Sequence, residues 1–378
     1  MVDATTKILN YLQDGEQEIL QDLKEFVKKE SPSRDKALVD ECGLYLQELF
    51  QKHLGVTPEI FEEKEVGNHL KFTIGDGEKQ ILIIGHFDTV WEKGRLNYRV
   101  EGNKAYGPGI LDMKGGIVQA IWAVKAIQEL GISMDKKIVF LCNSDEEIGS
   151  IHSRKYIEEE ARKSEVVLVA EAAVAKTGAL KTARKGVGIF KLKVWGRAAH
   201  SGNHHSDGIS AVEELARQTI VLQELTDYEK GSTVNVGVVK GGTGSNVVPE
   251  YAEADIDLRI SSLEEADRVS SLILGLKPIL EGTTIEVTGE VNRPPMERTE
   301  QIGELFHTAR TIASELGFEL DEAAVGGGSD GNFTAALGIP TLDGLGCEGE
   351  GLHAENEHVL INTLSKRAAL FANLLLRI

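Results

Sequence analysis

Apolar residues recur along this chain in two rhythms, and the change between them divides it. From residue 5 to 29, Ile8, Leu12, Ile19, Leu23 and Val27 fall near helical spacing and predict one long amphipathic helix. Ser31-Pro32-Ser33 predicts its break and the cap of a second helix reaching about Leu54. Strand-like runs follow near 57–62, 69–74 and 80–85. Helical spacing returns at 114–131 through Ile117, Ala120, Ile121, Val124 and Ile127. Continuous apolar runs at 137–142 and 166–170 then flank a helix at 150–163. Strands and helices in alternation predict a mostly parallel sheet covered by helices.

Beyond about 187 the period becomes two. Val187, Ile189, Lys191 and Lys193 mark one alternating strand, and Ala252, Ala254, Ile256, Leu258 and Ile260 mark another. With helices at 207–225 and 262–278 and strands at 233–240 and 284–289, the order is β-α-β-β-α-β. That order suits a ferredoxin-like α+β domain. Asn292-Arg293-Pro294-Pro295 reads as its exit. Helices at 300–316, 331–337 and 361–376 and a strand at 340–342 resume the first pattern. The fold class expected is therefore α/β, with the small domain (187–296) inserted into a discontinuous larger one (1–186 and 297–378).

Composition narrows the function. A formal charge of -19 argues against nucleic-acid and anionic-membrane partners, which call for a basic surface. At 41% apolar residues a large core is expected, yet no run approaches 18 apolar residues, so no membrane span is predicted. Asp3, Asp14 and Glu16 interrupt the start of the chain, which has no apolar stretch of signal length. Cys42, Cys142 and Cys347 lack metal-binding spacing and read as free thiols of a reducing, cytoplasmic compartment.

The candidate chemistry sits where apolar runs end. Ile81–Ile84 leads into Gly85-His86-Phe87-Asp88, Lys137–Cys142 into Asn143-Ser144-Asp145-Glu146-Glu147, and Val166–Ala170 into Glu171. Asp112 occupies a glycine-rich turn before a helix, and His353 follows Gly351-Leu352. Open α/β sheets present active sites at such strand ends. A His-x-Asp turn lets one residue ligate a metal while the other fixes its tautomer. Adjacent acids let one ligate while its neighbour stays free as a base. Each signal is weak singly; together they make the ligand set of a hydrolytic two-zinc site.

Gly85–Val90, Gly107–Gly116, Asn143–Gly149, Ala170-Glu171-Ala172 and His353 together resemble the motifs of the two-zinc aminoacylase/carboxypeptidase family of metallopeptidases. That family spans glutamate carboxypeptidases, acetylornithine deacetylases and succinyl-diaminopimelate desuccinylases, and the resemblance runs over nearly the whole chain. It implies two zinc ions per subunit, a set that cobalt or manganese also fits. Asp112 would bridge them, with His86 and Glu171 completing one site and Glu147 and His353 the other. Glu146 would be the general base, Asp88 would orient His86, and a cis peptide would follow Asp112. The inserted domain would be a lid and homodimerisation domain whose His200, in Gly196–Gly202, stabilises the oxyanion in the partner's site. Asn246 and Arg259 would anchor substrate and Arg293 would hold its carboxylate. The loop after His200 departs from the family pattern at Asn203–Asp207; His204 and His205 there are expected to be exposed. The Asp88–Trp91 and Arg184–Gly186 turns and Arg293 resemble glutamate carboxypeptidases most. The implied reaction is amide hydrolysis of a small peptide or N-acyl amino acid, releasing C-terminal glutamate. The alternatives are a deacylase of acetylornithine or succinyl-diaminopimelate type and, more remotely, a non-catalytic metal-binding scaffold. The glycine-rich run Gly326–Gly331 lacks the lysine of a phosphate-binding loop.

Overall fold

A computed structural model describes residues 4–378; Asp3 lies outside them. The chain divides into two compact units. The first runs through Ala183 and takes up Arg298–Ala324 and Ser329–Ile378. The second comprises Arg184–Glu297 with Val325–Gly328.

The first unit is built on a six-stranded sheet in the order Glu59–Phe61, His69–Ile74, Lys137–Asn143, Gln80–His86, Val166–Val169, Thr341–Leu342. The last four strands run parallel; the first two join antiparallel at one edge. Every residue of Gln80–His86 is buried. Its side chains alternate between two cores, Ile81 and Ile83 in one, Leu82 and Ile84 in the other. A strand buried on both faces reads as a continuous apolar run for that reason. Register places His86 opposite Asn143, so both chemical segments emerge at the same edge. The helix Gly115–Glu129 starts against the neighbouring strand end. A Cβ on Gly116 would stand 1.8 Å from the Ala170 carbonyl oxygen, so only glycine permits this approach.

Three local expectations change. The long N-terminal helix is two helices, Ala4–Asp14 and Glu16–Lys28, broken at Gly15. The Trp122 ring packs there, 3.0 Å from where a Cβ would sit, so a side chain would have to displace it. The next helix, Lys36–Leu54, is capped by Asp35, whose carboxylate accepts from the Leu38 amide. Ser31 and Ser33 instead turn inward, toward the segment after His86. A four-stranded sheet of Arg99–Glu101, Lys104–Tyr106, His358–Leu360 and Gly349–Glu350 was not expected. Its strands have two or three residues each, too few to carry a period.

The second unit is an antiparallel sheet in the order Thr233–Gly241, Tyr251–Ile260, Gly186–Trp195, Thr284–Arg293. With the helices Ala211–Gln223 and Leu263–Leu274 it has the ferredoxin-like topology. Ser210 and Ser262 cap these helices by accepting from the amides of Glu213 and Glu265, three residues on. The first helix starts later than its apolar pattern suggests because a 3-10 turn, His205–Asp207, precedes the cap. Phe190, Leu192 and Val194 bury the same sheet face as Ile256 and Leu258, as the period of two demands. No described helix is long and apolar enough to cross a membrane.

Candidate metal centre

His86 ends its strand fully buried. Its Nδ1 lies 3.1 Å from the Asp88 carbonyl oxygen and 3.4 Å from that residue's Oδ1. Nδ1, facing two acceptors, keeps its proton, so Nε2 is the nitrogen a metal would take. Nε2 is 3.2 Å from Asp112 Oδ1 and 3.5 Å from Glu171 Oε1. On the other side, His353 Nε2 is 3.2 Å from both Asp112 Oδ2 and Glu147 Oε2. The two oxygens of Asp112 thus face two different groups of donors. His86–Asp112–Glu171 and Asp112–Glu147–His353 each gather a ligand atom from every member within 4.8 Å. The peptide bond Asp112–Met113 is cis.

Asp88 does more than orient a ring. It is fully buried, and its carboxylate accepts from the Glu146 and Glu147 amides, each at 3.2 Å, and from the Ser33 hydroxyl at 2.7 Å. Asp88 therefore fixes the turn that presents both glutamates. Glu146 belongs to neither triad, but its charge acts on His86.

Electrostatics report a cluster short of positive charge. Burial pushes the Glu147 carboxyl up to about 7, with Asp112 adding to it against the hydrogen bond from His353. Bonds to Asp112 and Glu147 push His353 up to about 10, against some burial. Burial opposes ionisation of Asp112, but the bonds from His353 and His86 outweigh it and hold its carboxyl well below the usual range. Without cations, then, protons collect on this cluster. Glu147 Oε1 is also buried with no hydrogen-bond partner. An orphaned carboxylate oxygen beside imidazole and carboxylate donors is what a bound divalent ion would satisfy. The donor set fits two such ions, and imidazole with carboxylates suits zinc, cobalt or manganese. Beside Glu147 opens a cavity of about 390 Å³, lined also by Ser33, Arg34, Thr89, Val90 and Ile148.

The other expected site residues lie in the second unit. Ala199–His200 pairs with Val247–Val248, and the Ser201 amide donates to the Asn246 carbonyl at 3.0 Å, so the His200 and Asn246 segments are neighbours. His200 is exposed, and its Nδ1 accepts from the Gly202 and Asn203 amides at 3.1 Å each. Its remaining nitrogen, Nε2, is left as a hydrogen-bond donor. Arg259 and Arg293 both pair with Val187, Arg293 just past a register shift in its strand. Arg259 makes a two-point ion pair with Asp257 at 2.8 and 3.0 Å, and Arg293 is buried. His204 and His205 are exposed. Ser33 and Glu357 escaped the sequence reading, Ser33 because a serine after proline reads as a cap and Glu357 because it lies in an acidic surface-like run.

A family model described as peptidase family M20/M25/M40 matches residues 82–377. Carboxypeptidase G2 of Pseudomonas sp. (strain RS-16) is 30% identical over 375 residues, covering 96% of this chain and 90% of that protein. Succinyl-diaminopimelate desuccinylase of Rickettsia rickettsii is 25% identical over 391 residues, covering 95% and 98%. Among solved structures, an aminopeptidase PepT from Bacillus cereus superposes with a TM-score of 0.77 at 23% identity, covering 95% of this chain and 98% of that one. A metallo-carboxypeptidase from Sulfolobus solfataricus gives 0.74 at 20% identity, covering 95% and 98%.

Proposed function

The chain belongs to peptidase family M20/M25/M40, and from that premise we propose that it is a two-metal exopeptidase releasing a C-terminal amino acid, glutamate first among candidates, from a small peptide or N-acyl amino acid. The observation that carries this reading is the sharing of Asp112 between two triads, with Glu146 beside them and in neither. His86, Asp112 and Glu171 would hold one ion and Asp112, Glu147 and His353 the other, with zinc the metal first expected. Two divalent ions bound there would supply Lewis-acid polarisation and acidify water. Glu146 takes the proton of the attacking water on its carboxylate and returns it to the departing amine nitrogen. Asp88 keeps Glu146 in place through its backbone amide and holds the proton on His86 Nδ1.

Substrate recognition is assigned to the second unit. Arg259 and Arg293, which both pair with Val187 in its sheet, supply charge-assisted bonds to a carboxylate. Asn246 assists in anchoring, and His200 donates from Nε2 to the developing oxyanion, serving the partner's site in a homodimer. A second reading, a deacylase of the succinyl-diaminopimelate type, has the support of the Rickettsia relative. A panel of dipeptides and N-acyl amino acids, assayed with zinc, decides between them. Release of glutamate from N-acyl-glutamate with basic acyl amino acids untouched supports the first, and the converse replaces it.

A further inference from the structure

Three of the loops around the metal centre meet at one buried carboxylate that belongs to neither triad. Glu357 is 1% exposed. Its Oε1 accepts from the Leu111 amide at 2.8 Å and the Asp112 amide at 3.2 Å. Its Oε2 accepts from the Gly109 amide at 3.1 Å and from the Trp91 indole nitrogen at 2.6 Å. Trp91 follows His86 and Asp88 in one loop, and Gly109–Asp112 is the loop carrying the shared ligand. Glu357 closes the third loop itself. Its amide donates to the Ala354 carbonyl at 2.8 Å, and the Ala354 amide to the Gly351 carbonyl at 2.9 Å, folding His353 between them. His353 has a left-handed backbone, φ 56°, an uncommon conformation that these neighbouring bonds hold.

We propose that Glu357 is a positioning residue that assembles the Asp112–His353 half of the centre before any metal arrives, by anchoring both ligand loops and the Trp91 loop to a single carboxylate. This rests on reading the two triads as a metal centre. A carboxylate suits the place because it is acceptor-only, with about four lone-pair sites for four converging donors. Glutamine does not replace it, since its amide nitrogen would turn a donor toward two further donors. Leaving buried N–H groups unpaired lets the loop relax, and Asp112 with it.

Zinc affinity and stoichiometry are to be measured by chelator competition on wild type, Glu357→Gln and Glu357→Asp, beside the melting temperature of each metal-free protein. Loss of a group that orients metal ligands typically weakens binding about 10- to 100-fold. Glu357→Gln should fall in that range. Glu357→Asp, which keeps the four lone-pair sites, should recover part of the loss. A folded Glu357→Gln that binds both ions with wild-type affinity overturns the proposal, even if its melting temperature drops. Should Glu357→Gln not fold, hydrogen exchange on metal-free wild type decides. Protected Gly109, Leu111 and Asp112 amides support preassembly, and exchange at open-loop rates overturns it. A wild type that binds no zinc pair refutes the metal-centre reading instead, and the exchange result still judges Glu357.

Discussion

Glu146→Gln separates proton transfer from metal binding. The substitution keeps size and shape and removes only the ability to take up a proton. Its backbone amide is held by Asp88 Oδ1 at 3.2 Å and that of Glu147 by Oδ2 at 3.2 Å, so the turn stays in place. Glu146 lies in neither triad, so metal content should remain at the wild-type value. General acid–base catalysis contributes about 10²- to 10⁴-fold. The turnover number should fall by that factor, about 2.7 to 5.4 kcal/mol of barrier. Glu147→Gln should do the reverse. It removes a carboxylate whose Oε2 stands 3.2 Å from His353 Nε2, and the variant should lose metal from that triad. Elemental analysis after dialysis, with kcat and KM on one substrate for both variants, makes the test. If Glu146→Gln loses metal while Glu147→Gln keeps it, the two roles are exchanged. If Glu146→Gln keeps both metal and full turnover, the proton-transfer assignment is wrong.

Asp112→Asn should weaken both metal sites together, because its two oxygens face different triads, whereas His86→Ala should weaken one; a zinc titration retaining one full-affinity site after Asp112→Asn would remove the sharing argument. Arg293→Ala should raise KM for substrates with a free C-terminal carboxylate, by about 1.5 to 3 kcal/mol for a lost charge-assisted bond, and little for their amides; equal effects on acid and amide would make Arg293 structural. His200→Ala and Glu146→Ala, each nearly inactive, should regain activity when unfolded, mixed equally and refolded, with about a quarter of all sites intact if His200 serves the partner. Background activity, with heterodimers confirmed by mass, would place His200 in its own subunit's site. Asp22 is held at about 2: burial raises its carboxyl, but bonds from His53 and Lys52 outweigh that, with Trp122 Nε1 donating at 2.9 Å. Its folded value is depressed, so its contribution is present above pH of about 4 and is lost as pH falls toward 2. Asp22→Asn should therefore cost about 2 kcal/mol at pH 7 and progressively less below pH 4, read by urea unfolding at stepped pH; a cost independent of pH would refute the ionic account.

The two-rhythm architecture, and the candidate ligands at the ends of buried runs, could be read from the chain alone. Gln80–His86 is buried on both faces, so its run had to be continuous, and Tyr251–Ile260 is buried on one face, so its pattern had to alternate. Period is a local consequence of which faces meet water, and it is written in the chain. His86, Glu147 and Glu171 were legible because each ends or follows a buried run. What requires distant segments to meet is visible only once the chain is folded. The sharing of Asp112 depends on the separation of two imidazoles 267 positions apart in the chain, at His86 and His353. Ser33 reads locally as a helix cap, yet its hydroxyl serves Asp88, while Asp35 does the capping. Glu357 reads as one more acid in a polar run, yet it accepts from three backbone amides and an indole. Backbone amides have no residue-specific signature, and a side chain that binds them leaves no pattern until the fold brings them together.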